Sequence, residues 1–396
     1  QARMDGADRR HVSRAARRPW PGVTTAPPRA TRTANLAAHQ DILDDGLAGE
    51  ARIAGEFQER LQWLDERLQD GRYEEAVAGS YAKAKARMAS AVPRDTLHVV
   101  GAEDDIRCVP MSEGLFEPPA DIAFDRNRCS RLHLGEVIRV LREADDGAWL
   151  YVHAGHSVGW LHTPTLSPAS TAEVTAPFRG VGTYAVFTSD TKVGDRQLRM
   201  GRRFPLRGRT DGGWQIDLPT TTGFETVTLT TDAPLHEGPM PLTRANVWRL
   251  VMARQGEPYG WGGYEGGRDC SRLLLDLFAV FGIHLGRHSL VQAKSGSHII
   301  ELTSMSEPAK LEALRSAASR GLVLAYMPGH IMLHLGEVDG RPYALSSLAQ
   351  YFRPCTGGDQ TVRIARITVS DYELGRGSKR TSFLERLTKL TILGGP

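Results

Sequence analysis

One stretch of fifteen residues, from Gly256 to Cys270, constrains this chain more than any other. It reads Gly-Glu-Pro-Tyr-Gly-Trp-Gly-Gly-Tyr-Glu-Gly-Gly-Arg-Asp-Cys. Glycines allow another backbone to approach closely, and a run this rich in glycine predicts a loop. Because an apolar run follows at once, the pattern predicts a loop that delivers Cys270 to the first turn of a helix.

The segment after Cys270 has the period of a helix with one broad apolar face. The apolar positions, three and four residues apart, are Leu273, Leu274, Leu277, Phe278 and Phe281. Asp269 is placed to cap the start of this helix, and Gly282 to end it. Cys270 would then lie at the positive end of the helix dipole, which lowers a thiol pKa and favours the nucleophilic thiolate. The alternative is a buried structural cysteine.

The stretch resembles the NlpC/P60 family of cysteine peptidases. The residues that carry the resemblance are Pro258, Tyr259, Trp261, Gly262, Gly263, Asp269, Cys270 and Ser271, then Gly286, Arg287, Ser289 and Gln292, and finally the run Pro328-Gly-His-Ile-Met-Leu-His-Leu-Gly336. The resemblance covers about residues 240 to 370, and a looser one to the SH3-bearing branch of the family reaches back to about residue 90. It implies a papain-like fold in which a helix carrying cysteine packs on an antiparallel sheet carrying histidine.

The general base is predicted to be His330, since a thiol needs a neighbouring imidazole to act as a nucleophile. Its rivals are His284, His288, His298 and His334. His330 and His334 would face the same side of a strand roughly 13 Å apart, at about 3.3 Å per residue, so only one can reach Cys270. The family pattern selects His330 and leaves His334 as a packing residue.

The third catalytic position falls on Ser346, where relatives with SH3 barrels carry a second histidine. A serine hydroxyl can accept a hydrogen bond from the histidine Nδ1-H, but it stabilises an imidazolium less than a charged partner does. A two-residue turn at Asp339-Gly340 would place Ser346 on the face opposite His330, whereas a three-residue turn with a glycine bulge would place both on one face. The triad requires the second arrangement.

What the resemblance implies for substrate is a peptidoglycan stem peptide, cut between γ-D-glutamate and the diamino acid through a thioester on Cys270, with no metal or organic cofactor. The predicted substrate-binding residues are Tyr259, Trp261, Asp269, Ser271, His288, Ser289 and Asp125. His288 stands where the family has an acidic residue that recognises a free amino terminus. Asp125 could supply that missing charge, or it is a carboxylate of a surface loop. Two alternatives stay open: a wall-binding protein with a degenerate catalytic domain, and a Cys-His acyltransferase or amidase.

The rest of the chain divides by pattern. We expect a disordered basic tail (1–35), a helical segment (36–91), two small SH3-like β-barrels (92–168 and 169–242) and the peptidase domain (243–396). The tail carries eight arginines against two acids and lacks an apolar run. Both predicted barrels have short strands, an Asp-Gly turn and a strand that starts at tryptophan. The fold class is therefore α+β.

Composition excludes some classes of function. The net charge of +3, with 49 basic and 46 acidic residues, does not favour a nucleic-acid partner, and no stretch predicts an integral membrane segment. The four cysteines are too scattered for a disulfide framework, and a Cys108–Cys129 bridge is open but not favoured. We expect a monomer in the cell envelope, where intact peptidoglycan lies, although a cytoplasmic recycling role would need no signal for export.

Overall fold

The computed structural model describes residue 43, residues 47–162 and residues 166–394. The predicted basic tail, 1–35, lies outside the described residues, as does the start of the predicted helical segment. The chain divides into two compact units. We call 241–260 with 265–394 the C-terminal unit, and the described residues up to 240 with 261–264 the barrel unit. The five domain bounds drawn from the sequence stay a prediction.

The barrel unit begins with a pair of helices and a barrel. Its helices are α1 (Leu47–Gln69) and α2 (Ser80–Ser90), and its first strands are β1 (Glu74–Glu75), β2 (Val92–Val99), β3 (Asp104–Arg107), β4 (Leu115–Phe116), β5 (Arg128–Leu132), β6 (Val137–Glu143), β7 (Trp149–His153) and β8 (Val158–His162). Six of these strands form a sheet in the order β2-β6-β7-β8-β3-β5. Trp149 and Trp160 are each 2% exposed in its core, as a packing role predicts.

One disulfide links two strands of this barrel. Cys108 follows β3 and Cys129 lies in β5, and their Cα atoms are 5.1 Å apart. The bridge was not favoured by the sequence analysis. β3 and β5 are paired antiparallel with Arg107 opposite Arg128, so Cys108 and Cys129 lie diagonally across this pairing, beside the register shift between Ile106 and Arg107.

A second β-rich region completes the barrel unit. It contains α3 (Ala172–Thr175), β9 (Tyr184–Phe187), β10 (Thr191–Val193), β11 (Arg196–Leu198), β12 (Arg203–Thr210), β13 (Gly213–Thr220), β14 (Gly223–Leu229) and β15 (Leu235–Glu237). Five of these strands form a sheet in the order β14-β13-β12-β9-β15. The core beneath it is aromatic and aliphatic, with Phe187, Phe204 and Ile216 fully buried.

The C-terminal unit is a six-stranded antiparallel sheet with helices packed on it. Its elements are α4 (Arg244–Ala253), α5 (Cys270–Val280), α6 (Ser289–Gln292), β16 (His298–Glu301), α7 (Glu307–Arg320), β17 (Leu322–Met327), β18 (His330–Val338), β19 (Arg341–Cys355), β20 (Gly358–Asp371), α8 (Phe383–Arg386) and β21 (Lys389–Leu393). The strand order is β16-β21-β17-β18-β19-β20. The α+β fold class is confirmed.

The helices of the described residues are all too short or too polar to cross a bilayer.

Candidate active site

Cys270 is the first residue of α5, as its sequence predicts. The Asp269 side chain caps the helix by accepting the backbone N–H of Arg272 at 2.9 Å. The Cys270 sulfur accepts hydrogen bonds from the backbone N–H groups of Ser271 and Ile331. Ile331 follows His330 in β18, so the bond to its N–H holds the sulfur beside the strand that carries the predicted base. Cys270 and His330 are each 9% exposed.

The start of α5 is clamped by Arg287. Its guanidinium donates to both carboxylate oxygens of Asp269, at 3.0 and 2.5 Å, and to the Ser271 hydroxyl at 2.9 Å. The Gln292 side chain donates to the Ser271 carbonyl at 2.8 Å. Asp269 and Ser271 are therefore buried parts of the support of the nucleophile, rather than the substrate-binding groups that the sequence analysis expected.

A second buried network lies one turn further along the same helix. Asp276 is 0% exposed and accepts one bond on each carboxylate oxygen, from Arg268 at 2.8 Å and from Arg272 at 2.9 Å. Arg268 also pairs with Glu257 at 3.3 Å. These ion pairs fix the loop that precedes Cys270 to the helix that follows it. Guanidinium pairing on both oxygens is the geometry that buried carboxylates need.

His330 begins β18 and is hydrogen-bonded to Ser346. The distance between His330 Nε2 and Ser346 Oγ is 3.1 Å, and Ser346 is 2% exposed. The sequence analysis expected this bond at Nδ1, so the ring nitrogen was wrong. The use of Nε2 leaves Nδ1 for another partner.

The turn between β18 and β19 also differs from the expectation. Val338 pairs with Arg341, so Asp339-Gly340 is the two-residue turn that alone would put Ser346 on the wrong face. The register instead shifts by one residue between His334 and Gly336, where a β-bulge lies. The bulge reverses the effect of the turn, because one extra residue exchanges the two faces of a strand.

Burial dominates the protonation of the reacting pair. It raises the pKa of the Cys270 thiol to about 12, with the Asp269 carboxylate adding to the rise, while the Ile331 N–H, Arg287 and the Ser271 N–H oppose it. Burial and, second, the charge of Arg386 lower the pKa of His330 to about 4, against an opposing effect of the Asp269 carboxylate. The prediction of a lowered thiol pKa at the helix start is therefore wrong for this structure. Thiol and imidazole are both neutral at pH 7.

The rival histidines have other surroundings. Burial and the charge of Arg244 lower the pKa of His334 to about 4, and its Nδ1 lies 3.2 Å from the Tyr372 hydroxyl, in agreement with a packing role. His284, His288 and His298 are exposed.

The remaining predicted substrate-binding residues are divided between the two units. Tyr259 in the C-terminal unit is half-buried, and its N–H bonds to the Ala365 carbonyl at 3.0 Å. Ser289 begins α6 in the same unit and is half-buried, next to the exposed His288. Trp261 belongs to the barrel unit, with its ring 6.1 Å from that of Phe124.

Asp125, the predicted source of negative charge, is committed within the first barrel. One carboxylate oxygen pairs with Arg107 at 2.9 Å, and the other accepts the N–H groups of Leu115 at 3.0 Å and Asn127 at 2.8 Å. At 6% exposure it is a buried structural carboxylate, and it is not presented to an ammonium group.

Three side chains near the reacting pair were not predicted. Tyr326 pairs with Ile331 across β17 and β18, and burial and then the charge of Cys270 raise the pKa of its hydroxyl. The Phe383 ring lies 5.7 Å from the His330 ring, and Arg386 follows in the same short helix. An aromatic residue just before the Pro328-Gly329 turn was a usable signal for Tyr326. No local pattern could link α8 to a histidine more than fifty residues earlier.

Among the described residues, no cluster of three or more His, Cys, Asp or Glu side chains is arranged to hold a metal ion.

A cysteine at a helix start beside a histidine on an antiparallel sheet defines a papain-like cysteine-histidine domain. Residues 256–339 match the model of the NlpC/P60 family, and residues 114–162 match the model of an SH3 domain of the SH3b1 type. The chain therefore carries an NlpC/P60 domain preceded by an SH3b domain.

Solved structures support the same fold. An NlpC/P60 endopeptidase from Photobacterium damselae subsp. piscicida aligns with a TM-score of 0.67 at 16% identity, over 99% of this chain and 94% of that chain. An NlpC/P60 family protein from Bacillus cereus ATCC 10987 aligns with a TM-score of 0.50 at 13% identity, over 75% of this chain and 99% of that chain. At these identities the likeness establishes the fold alone. No curated protein matches the sequence.

Proposed function

We propose that this protein is a cell-wall hydrolase that cuts peptidoglycan stem peptides between γ-D-glutamate and the diamino acid. The observation that carries the proposal is that the Cys270 sulfur is bonded to the N–H of Ile331, the residue next to His330 in β18, and that the His330 ring is bonded to Ser346. The family match supplies the substrate class. The SH3b domain is consistent with a wall partner, and we propose the envelope as the site of action because intact peptidoglycan lies there.

The proposed reaction begins from the neutral pair. In this proposal the His330 Nε2–H donates a hydrogen bond to the Ser346 hydroxyl, so Nδ1 carries the lone pair. Nδ1 takes the thiol proton as the sulfur attacks the scissile carbonyl. The Cys270 backbone N–H at the helix start helps to hold the oxyanion. His330 then returns the proton to the leaving amine, and water hydrolyses the thioester.

Recognition of a free amino terminus is not part of this proposal. The carboxylate that would compensate an ammonium is replaced by the exposed His288, and Asp125 is already paired with Arg107. We therefore expect the enzyme to accept substrates whose L-alanine is acylated about as well as substrates with a free amine.

The test is hydrolysis of L-alanyl-γ-D-glutamyl-diaminopimelate, followed by mass spectrometry, with wild type and Cys270→Ala. We expect cleavage after γ-D-glutamate by wild type only. Folded wild type that cleaves neither this tripeptide nor a longer stem peptide would refute the proposal and favour a wall-binding protein. Cleavage of a different amide bond that also requires Cys270 would instead indicate an amidase or acyltransferase.

A further inference from the structure

Helix α8 carries a basic residue, Arg386, one turn after a residue that packs against His330. Phe383, the first residue of α8, packs its ring 5.7 Å from the ring of His330. Arg386 lies three residues later, and residues at this spacing share a helix face. The lowered pKa of His330 under the charge of Arg386 agrees with this placement. Arg386 therefore belongs to the face of α8 that carries Phe383, close enough to His330 for its charge to act on the ring.

The charge of Arg386 is not balanced within the described part of the chain. No carboxylate there forms an ion pair with Arg386 or with Arg380, and burial followed by the charge of Arg380 lowers the pKa of Arg386. The neighbouring Glu385 is already used, since it accepts the Ser382 N–H at 2.7 Å in a capping box. A half-buried charge without a partner is costly, and an anionic ligand would supply the missing partner.

Arg376, in the same C-terminal segment, is an arginine whose charge is fully paired, and it serves as a comparison for Arg386. It pairs with Glu307 at 2.5 Å and with Glu373, and Glu385 lies 3.7 Å away. Two arginines ten residues apart thus have opposite surroundings. Arg376 is surrounded by acids, whereas the charge that acts on Arg386 is that of another arginine, Arg380.

Two more basic side chains lie in the loop before α8. Arg380 lies over the Phe352 ring with its guanidinium carbon 4.8 Å from the centroid, and the Lys379 amine lies 5.4 Å from the same centroid. Stacking on an aromatic ring fixes a guanidinium while leaving its N–H donors available. We call Lys379, Arg380 and Arg386 the basic rim.

The side of the site on which the rim lies indicates which half of a substrate it meets. In cysteine-histidine catalysis the histidine returns its proton to the departing amine, so groups beside the histidine face the leaving-group half. We propose that Arg386, with Arg380 next to it, forms a subsite for a carboxylate on the amine that leaves. This inference rests on the proposed function. In a stem peptide that amine belongs to the diamino acid, which offers its α-carboxylate when it ends the peptide, or a side-chain carboxylate when it is diaminopimelate.

The first experiment tests the anion subsite without any peptide substrate. Alkylation of Cys270 by iodoacetate, which is negative, is compared with alkylation by neutral iodoacetamide, in a Cys355→Ser background so that Cys270 is the only unpaired thiol. We expect Arg386→Gln to lower the ratio of the two rates by about tenfold, the effect of losing one charge-assisted contact. Arg376→Gln, which removes the same charge from the same segment, should leave the ratio unchanged. An equal ratio in wild type and Arg386→Gln would overturn the subsite.

The second experiment identifies the carboxylate. Rates are compared for tripeptides that end in diaminopimelate or lysine, each as the free acid and as the α-carboxamide. We expect wild type to prefer one carboxylate-bearing member through a lower KM, and Arg386→Gln to lose that preference while Arg376→Gln keeps it. Loss of the α-acid preference assigns the α-carboxylate, and loss of the diaminopimelate preference assigns the side chain.

The two experiments separate this inference from the proposed function. If wild type cleaves none of the peptides but its alkylation ratio depends on Arg386, the proposed substrate is wrong and the anion subsite stands. If the peptides are cleaved and Arg386→Gln slows all four equally, the enzyme stands and the leaving-group subsite is refuted.

Discussion

The two residues of the proposed catalytic pair, Cys270 and His330, are held in different ways. The nucleophile side is held by buried ion pairs, with Asp269 clamped by Arg287 and Asp276 shared by Arg268 and Arg272. The base side is held by one bond to a neutral hydroxyl, from His330 to Ser346. Removing one partner of a buried ion pair leaves an uncompensated charge and costs much stability. Removing one partner of a neutral hydrogen bond costs less. The difference indicates that the contacts that position Cys270 also stabilise the fold, whereas the orientation of His330 depends on one hydrogen bond that contributes little to stability.

The largest effect should come from breaking the buried ion pairs under the nucleophile. Asp276→Asn leaves two guanidinium groups, each at most 4% exposed, facing a neutral amide. We expect a loss of about 3–5 kcal/mol in the free energy of unfolding, the usual result of removing one partner from a buried pair. Urea unfolding followed by circular dichroism measures it. Glu257→Gln is the matched control, since its carboxylate is 30% exposed and should contribute less than about 1 kcal/mol. Equal losses in both variants would contradict the comparison.

Acid should weaken the base side before it affects the ion pairs. His330 and His334 have folded pKa values of about 4 against 6.5 unfolded, so the unfolded state binds more protons between these values. Their contribution is complete above pH 6.5 and is lost as the pH falls towards 4, on the order of 3 kcal/mol per histidine. Asp104 in the barrel unit acts in the opposite direction, because burial raises its folded pKa to about 6.

Only the difference between variants isolates the histidines. The free energy of unfolding of His330→Gln and His334→Gln should fall less steeply than that of wild type between pH 6.5 and 4. If both variants follow the wild-type curve, these histidines are not buried and neutral.

The smallest effect should separate two adjacent serines. Ser346→Ala removes the bond to His330, and we expect kcat to fall about tenfold, as is usual for the loss of a group that orients a catalytic side chain. Ser347→Ala instead removes the bond from Ser347 Oγ to the Arg268 carbonyl at 2.6 Å. It should cost about 1–3 kcal/mol of stability with kcat per folded molecule nearly unchanged. A kcat for Ser346→Ala equal to that of wild type would mean that His330 needs no orienting partner.

The nucleophile half of the site was also the half that the sequence predicted best. The Asp269 cap, the start of α5 at Cys270 and its end near Gly282 depend on neighbours within a few residues, and local patterns carry that information. The family pattern marked Arg287 and Gln292, but not that they clamp Asp269 and Ser271. The base half depends on a bulge and on helix α8, which are set by long-range packing. The raised thiol pKa was missed because the helix dipole is a local property and burial is a property of the whole fold.

The bulge between His334 and Gly336 has a consequence that can be put as a question of parity. Successive residues of a strand point to opposite faces of the sheet. The face on which Ser346 lies therefore depends on whether the number of residues between it and His330 is odd or even, and the extra residue of the bulge fixes that number. If one residue were deleted from the hairpin, Ser347 would take the position of Ser346, and a hydroxyl would still face the ring of His330. If one residue were inserted, Leu345 would take that position and the hydroxyl would be lost. The doubled serine thus protects the hydroxyl partner of His330 against a one-residue deletion but not against an insertion.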